Sequence, residues 1–594
     1  MFHFKEEIMM KKFFAIIIAL SLGGCQDNLL DTAPYSSVSN ATMWTTDNLT
    51  DLGVAGVYNT FRLEMGHSGL TTVHELYQTD RFGYTGQGRW DEPLLRGTIT
   101  AGDAMFSKVW QHMYEGIQRA NDALLNIPAK SPSPEKKKAR YLAECRFLRA
   151  YFYFRLNQLY KGVPIYLEPF TPTEAIKPRA TEAEVWSQVL ADLDACINEP
   201  NLPDRYASGN ADYGHATKAA AYALRGKVYM YLKQWEKASA DFQKVKDAGH
   251  ALFGDYKALF TEANEQCPEM IFSMQHRGEQ GYGNNFQLFI GWPSAFRRGW
   301  NYYMPSPNLV DLHENIDGTP FKWDDIIPGF SGLTVAEREV FFLRNNITSE
   351  EHAAASARGA KMSLYLPQGN EERIKKAYEN RDPRLQANVV TPYATFRGAF
   401  NFTDVESLQT MRWPFRGQAA TGGDIQSDTQ INFYYFYRKF VIEGVSGLID
   451  RNYGPTDFPI LRYGDVLLMW AEALNEAGAT AEAVEKVNEV RKRAGVALLN
   501  SNAATAVKGQ EDLRQRIRNE RRIELPGEGI NYFDELRWKT WGEKVFYTGS
   551  GKKQIWGANV SDYSYKGDFL MTWPIPTGEI QMNPNLVQNP GWID

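Results

Sequence analysis

An all-α fold is what the sequence predicts: a tetratricopeptide (TPR)-like helical-repeat core, interrupted by a long, irregular, loop-rich insertion. Three observations carry this reading. Apolar residues recur at helical spacing in two separate regions of the chain. Each region holds a helix pair with TPR offsets: Gly226, Tyr229, Ala238 and Phe242 in one, Ala471, Leu474, Ala483 and Val487 in the other. Between about residues 255 and 455 the period is lost, and Gly, Pro, Asn and aromatic residues punctuate short segments. A long insertion of that kind within a solenoid is usually functional.

The elements follow in order. Lys11 and Lys12 precede an apolar run over 13–22, then Gly23, Gly24 and Cys25. A positive start, a short apolar stretch and small residues before a cut site predict a signal peptide over residues 1–24. Glu6 and Glu7 spoil the positive start, which favours Met9 or Met10 as the first residue. The run is too short to span a bilayer. Leu22-Gly23-Gly24-Cys25 resembles the bacterial lipobox, which makes Cys25 the lipidation site. Several acyl chains on one cysteine give stable anchoring. Residues 25–40 are polar and small, which suits a lipidated tether.

A helix is predicted over 104–127, with Phe106, Val109, Trp110, Met113 and Ile117 on one stripe. Pro128, Pro132 and Pro134 are read as its end. Ser133-Pro134-Glu135 then reads as N-cap, N1 proline and early acid of a helix running to about residue 160. Thr181 and Glu184 form a capping box for a third helix. A fourth and fifth are predicted over 215–233 and 235–248. Small residues let these two approach, and the rings fill the gap. Arg225 departs from the repeat, where Leu is usual. The second pair is predicted over 460–477 and 480–494, with Gly478 and Gly495 as C-terminal caps. The stretch from Thr572 to Trp592 reads as extended and loop-like.

Composition narrows the function. The 65 basic and 71 acidic residues give a formal charge of −6, which argues against a dedicated nucleic-acid binder. Four cysteines exclude a disulfide framework. Cys145, amid Phe147, Leu148 and Tyr151, reads as a buried filler; Cys196 and Cys267 are left paired or reduced. No run of 18 apolar residues occurs. The nine histidines show no HExxH pattern, so no metal site is expected. Nothing marks Asp324-Asp325 as a glycosidase pair. Asp317-Gly318 reads as a turn, and Gly281-Tyr282-Gly283 lacks the third glycine of a phosphate cradle. The Arg and Glu residues from Arg518 to Glu524 sit at helical spacing and read as bracing ion pairs. Arg146 and Arg149 are expected to pair with acids of adjacent helices.

Aromatic residues in loops are the most informative feature. Sugars lay C–H faces flat on rings, while Asn, Asp, Gln or Arg meet their hydroxyls. The segments Asp80-Arg81-Phe82-Gly83-Tyr84 … Arg89-Trp90 and Tyr282-Gly283-Asn284 … Trp300-Asn301-Tyr302-Tyr303 have that mixture. The expected ligand-binding rings are Trp90, Trp292 and Trp300, then Tyr84, Tyr303 and Trp413. Asn284, Arg89 and Arg297 are expected to contact hydroxyls. Each ring lies in a Gly- or Pro-punctuated loop, where it can stand out from a rigid scaffold.

The chain resembles the SusD/RagB-like outer-membrane lipoproteins of Bacteroidetes. The resemblance rests on the lipobox at Cys25, on Met43-Trp44 … Gly56-Val57-Tyr58-Asn59, and on Glu144-Cys145-Arg146-Phe147-Leu148-Arg149-Ala150-Tyr151-Phe152. It continues through Gly162-Val163-Pro164, Pro305-Ser306-Pro307-Asn308-Leu309 and Arg381-Asp382-Pro383-Arg384. Leu461-Arg462-Tyr463-Gly464-Asp465-Val466, Arg518-Asn519-Glu520-Arg521-Arg522-Ile523-Glu524-Leu525 and Trp573-Pro574-Ile575-Pro576 complete it. Lys161 stands where the family often shows Gly or Tyr, which concerns loop shape. The resemblance implies an N-terminal TPR region over 41–254 and a C-terminal region over 255–594, with further TPR-like helices and a loop-rich insertion that forms much of the ligand face. It implies a cell-surface lipoprotein of the outer membrane, without enzymatic activity or cofactor. Such a protein passes oligosaccharides, or in some branches peptides, to a partner SusC-like TonB-dependent transporter. The alternative is a helical-repeat scaffold of an outer-membrane complex that binds no nutrient.

Overall fold

A computed structural model describes residues 42–62, 73–427, 432–444 and 447–593. The expected signal peptide, Cys25 and the tether lie outside the described residues. Helices α1 (Asp47–Tyr58), α2 (Ala104–Lys130), α3 (Glu135–Tyr160), α4 (Glu182–Ile197), α5 (Lys218–Tyr231) and α6 (Trp235–Asp247) precede the insertion. Helices α7 (Tyr463–Glu476), α8 (Thr480–Ala494), α9 (Gln510–Glu524) and α10 (Asn531–Trp538) follow it. From α2 onward each helix packs on the next up to α6, and α7 packs on α8. Helix α6 also packs directly on α7. The helical stack is therefore continuous, and the insertion is looped out of it.

The labelled strands are short: β1 (Gly86–Gly88), β2 (Met270–Met274), β3 (Tyr303–Pro305), β4 (Thr395–Ala399), β5 (Glu406–Thr410) and β6 (Phe458–Arg462). They pair antiparallel as β1 with β3, β2 with β6, and β4 with β5. The β2–β6 ladder joins the two ends of the insertion, with Arg462 opposite Met270. Tying the ends of a long loop limits its closure cost to one place.

The TPR spacing has its physical reason in the packing. A Cβ on Gly226 would stand 2.5 Å from the Phe242 ring, so α5 and α6 approach only because the side chain is missing. Arg225 bridges Asp241 on α6 and Asp194 on α4, each at 2.6 Å. The Thr181–Glu184 capping box forms. Gly495 caps α8 at φ 77° and Gly478 follows α7 at φ 88°. Arg149 meets Asp192 of α4 at 2.6 Å. Cys145 and Cys196 are buried, and neither they nor Cys267 form a disulfide.

Four points differ from the sequence reading, the first being a short helix, Thr577–Met582, inside the stretch expected to be extended and loop-like. Helix α2 runs through Pro128 to Lys130. The proline falls in the last turn, where Ile127 is fully buried and its carbonyl accepts from Ser131 N–H at 3.2 Å. Pro134 itself occupies the cap of α3, because the Ser133 hydroxyl donates to Asp47 of α1 at 2.5 Å instead of capping. Residues 460–462 are strand, since β6 pairs with β2 before α7 begins.

The charged run on α9 belongs to a buried network. Arg462 meets Glu269, Glu524 and Glu528 at 2.8, 2.9 and 2.7 Å. Arg384 meets Asp382, Glu520 and Glu524 at 2.7, 2.6 and 3.0 Å. Arg521 bridges Asp465 and Asp534, and Arg522 meets Glu535. All of these side chains are buried. Burial opposes the charge of Glu524, yet Arg493, Arg462 and Arg384 hold its carboxyl well below the usual range. Three motifs far apart in sequence, around Arg384, Arg462 and Arg521, thus meet at the junction of insertion and helical stack.

Candidate functional site

The β1–β3 ladder brings the two aromatic segments of the sequence side by side. Gly88 lies opposite Tyr303. Just beyond it, Arg89 N–H donates to the Tyr302 carbonyl at 2.8 Å, and Arg89 Nη1 to the Trp300 carbonyl at 3.1 Å. Trp90 is 59% exposed. Its ring meets the Tyr302 ring edge-on at 6.3 Å, and Tyr302 meets Trp300 at 5.3 Å. Beneath them Phe289 stacks on Tyr302 at 5.5 Å and 28°. The Arg89 guanidinium lies 4.7 Å over Trp90 and 5.9 Å over Tyr302. Burial lowers its pKa, and the Tyr302 phenol works the other way.

The loop carrying Trp300 is held by close backbone contact. A Cβ on Gly299 would stand 2.2 Å from the Gly291 backbone, so only glycine lets these turns touch. Trp300, Asn301 and Tyr302 donate their N–H groups to Leu288, Gly291 and Phe289 at 2.7, 2.6 and 2.7 Å. Arg297, Arg298 and Asn301 take positive φ values of 57°, 60° and 39°. Strained backbone of this kind concentrates at functional sites. Below the first segment, Arg81 meets the half-buried Glu92 at 3.0 Å. Burial pushes the Asp80 carboxyl up to about 7, against the Gly527 N–H that it accepts.

Of the expected residues, Trp90, Trp300 and Arg89 come together on this face. Arg297 is exposed nearby, paired with Asp404 at 2.9 Å. The others do not join it. Trp292 is fully buried against Phe396 and Phe436, at 4.5 and 5.1 Å. Trp413 is buried, stacks on Phe433 at 5.5 Å and donates Nε1 to Glu339 at 2.9 Å. Asn284 is buried and donates Nδ2 to the Thr456 carbonyl at 2.5 Å. Tyr303 turns inward, its hydroxyl donating to Gln78 at 2.8 Å. The half-buried Tyr84 packs against Arg522, 5.2 Å from the guanidinium carbon. Gly and Pro mark a loop, but they do not say which of its sides a ring faces. Tyr302 was not among the rings expected from sequence. Its signal lies in the second aromatic segment, in the adjacent pair Tyr302-Tyr303, of which an extended backbone must turn one each way.

The face can stack on a flat, C–H-rich ligand at its rings, with the Arg89 guanidinium, held on the Trp300 carbonyl, at its edge. Among the described residues, no group of three or more His, Cys, Asp or Glu stands together to hold a metal ion. Among them, too, no helix is long and apolar enough to cross a membrane.

Comparison with known proteins agrees with the fold. A family model described as "SusD family" matches residues 268–592, and one described as "Starch-binding associating with outer membrane" matches residues 28–230. SusD-like protein P38 of Formosa agariphila is 25% identical over 89% of this chain and 92% of its own length. The starch-binding protein SusD of Bacteroides thetaiotaomicron is 24% identical over 76% of this chain and 73% of its own. The crystal structure of a SusD-like carbohydrate-binding protein from Bacteroides fragilis superposes with a TM-score of 0.70 at 25% identity, covering 92% of this chain and all of that one.

Proposed function

The chain belongs to the SusD family, and from that premise we propose that its aromatic face captures oligosaccharides at the cell surface. In this reading a lipid on Cys25 anchors it to the outer membrane, and a SusC-like TonB-dependent transporter receives the cargo. The protein binds and does not turn over its ligand. The observation that carries the reading is the exposed Trp90 ring, set beside Tyr302 and Trp300 with the Arg89 guanidinium against it. The names of the relatives support saccharide as the ligand class.

Trp90→Ala tests it. The ring lies mostly outside the core, so the melting temperature should stay within a degree or two. Affinity for a bound oligosaccharide should fall by about 1–3 kcal/mol, as for other aromatic platforms. An array of oligosaccharides and peptides identifies the ligand to use. Binding to neither, with the transporter still associated, would favour the scaffold. Release of reducing ends would show an enzyme instead.

Anchoring has its own expected result. Cys25→Ala should leave the folded chain intact and release it from membranes in cells lacking the transporter. Retention of the variant in the membrane fraction would refute the lipobox reading.

A further inference from the structure

The rim of the aromatic face is cationic, although the chain's formal charge is −6. The Arg451 guanidinium carbon lies 4.9 Å from the centre of the Trp300 ring, and Nη1 donates to the Arg298 carbonyl at 3.1 Å. Arg298 in turn lies 4.3 Å over Phe402. Phe402 is 43% exposed in the turn between β4 and β5, at a φ of 62°. A bulky residue in that region of backbone space is an outlier that needs a reason. From Trp90 through Trp300 to Phe402, rings and guanidinium groups alternate along one strip.

The neighbouring carboxylates are each engaged by groups other than Arg298 and Arg451. Asp404 pairs with Arg297 at 2.9 Å. Asp91 is held by Lys552 at 3.0 Å and Arg96 at 3.6 Å. Asp450 accepts the Asn452 backbone and side-chain N–H groups at 2.9 and 2.8 Å, which closes its own turn. Among the described residues no carboxylate pairs with Arg298 or Arg451. Two guanidinium groups, Arg298 exposed and Arg451 half-exposed, thus lie over rings without a carboxylate partner. A guanidinium fork matches carboxylate and sulfate oxygens in pairs, and a ring beneath it fixes its plane.

Resting on the reading of this face as a saccharide platform, we infer that its ligand is an anionic glycan, bearing carboxylate or sulfate ester groups that Arg298 and Arg451 recognise. The rings hold the sugar faces and the two arginines read the substituents between them.

The test compares neutral, uronate-bearing and sulfated oligosaccharides against the full chain at low and high salt. Anionic chains should bind about tenfold or more tightly than neutral ones, and lose that margin as salt screens the arginines. The uronate and sulfate arms decide which group is read; preference for either supports the inference. Arg298→Gln/Arg451→Gln should lower anionic affinity about tenfold and neutral affinity far less, the small neutral loss coming from Arg451 on the Trp300 ring. If the double variant melts early, Arg298→Gln alone, at an exposed side chain, should still lower anionic affinity several-fold. Equal binding of neutral and anionic chains, or an anionic affinity indifferent to these variants, overturns the inference. In that case a loss caused by Trp90→Ala would show that the platform itself stands. Failure of every saccharide to bind the folded chain defeats the platform and this inference together.

Discussion

Arg462→Met should lower stability by about 3–5 kcal/mol, among the largest effects expected of a single substitution in this protein. The guanidinium answers three buried carboxylates at once: Glu269 in the insertion's first limb, and Glu524 and Glu528 at and beyond the end of α9. Methionine fills comparable space but leaves those charges facing one another where water cannot reach. Arg493 still meets Glu269 at 3.1 Å, and Lys439 still meets Glu528 at 2.6 Å, so the loss falls short of three bare charges. The variant should unfold at lower denaturant concentration, and the β2–β6 junction should lose amide protection ahead of the helical stack. The exposed pair Lys244–Asp247 gives the control, since breaking it should cost less than about 1 kcal/mol. A loss of similar size at both sites would mean that the buried network does not brace the junction.

Trp292→Ala should cost about 3–5 kcal/mol. The ring has no exposed surface and fills the space between Phe396 on β4 and Phe436. Its loop also carries the Trp300 platform, because the Trp292 carbonyl accepts the Gly299 N–H at 3.0 Å and the Ala295 N–H at 2.9 Å. Ligand affinity should therefore fall together with melting temperature, and recover partly in Trp292→Phe, which restores most of the volume. Trp90→Ala should do the reverse, lowering affinity alone. Melting curves and binding isotherms of the variants separate the two roles. A stable Trp292→Ala protein with selective loss of ligand would return Trp292 to the binding face.

Much of the helical stack was legible because its causes are local. The spacing of Gly226, Tyr229, Ala238 and Phe242 encodes a close helix pair by residue size alone, and the Thr181–Glu184 box and Gly495 mark ends by their own hydrogen bonds and backbone freedom. The charged spacing on α9 likewise announced ion pairs, though not their partners: Asp465, Asp534 and Glu535 follow from the fold, as do Arg384 and Arg491 against Glu520. The face was half legible. Composition located the two segments that carry it, and Trp90, Trp300 and Arg89 were named from them. Which rings emerge was decided by the β1–β3 ladder, which turns Tyr303 toward Gln78 and leaves Tyr302 beside Trp90. The burial of Trp292, Trp413 and Asn284 and the approach of Arg451 to Trp300 were decided the same way. Periodicity and caps are properties of neighbouring residues, so a sequence can hold them. The side on which a loop ring lies depends on what a distant segment lays against it, and only the folded chain brings that segment there.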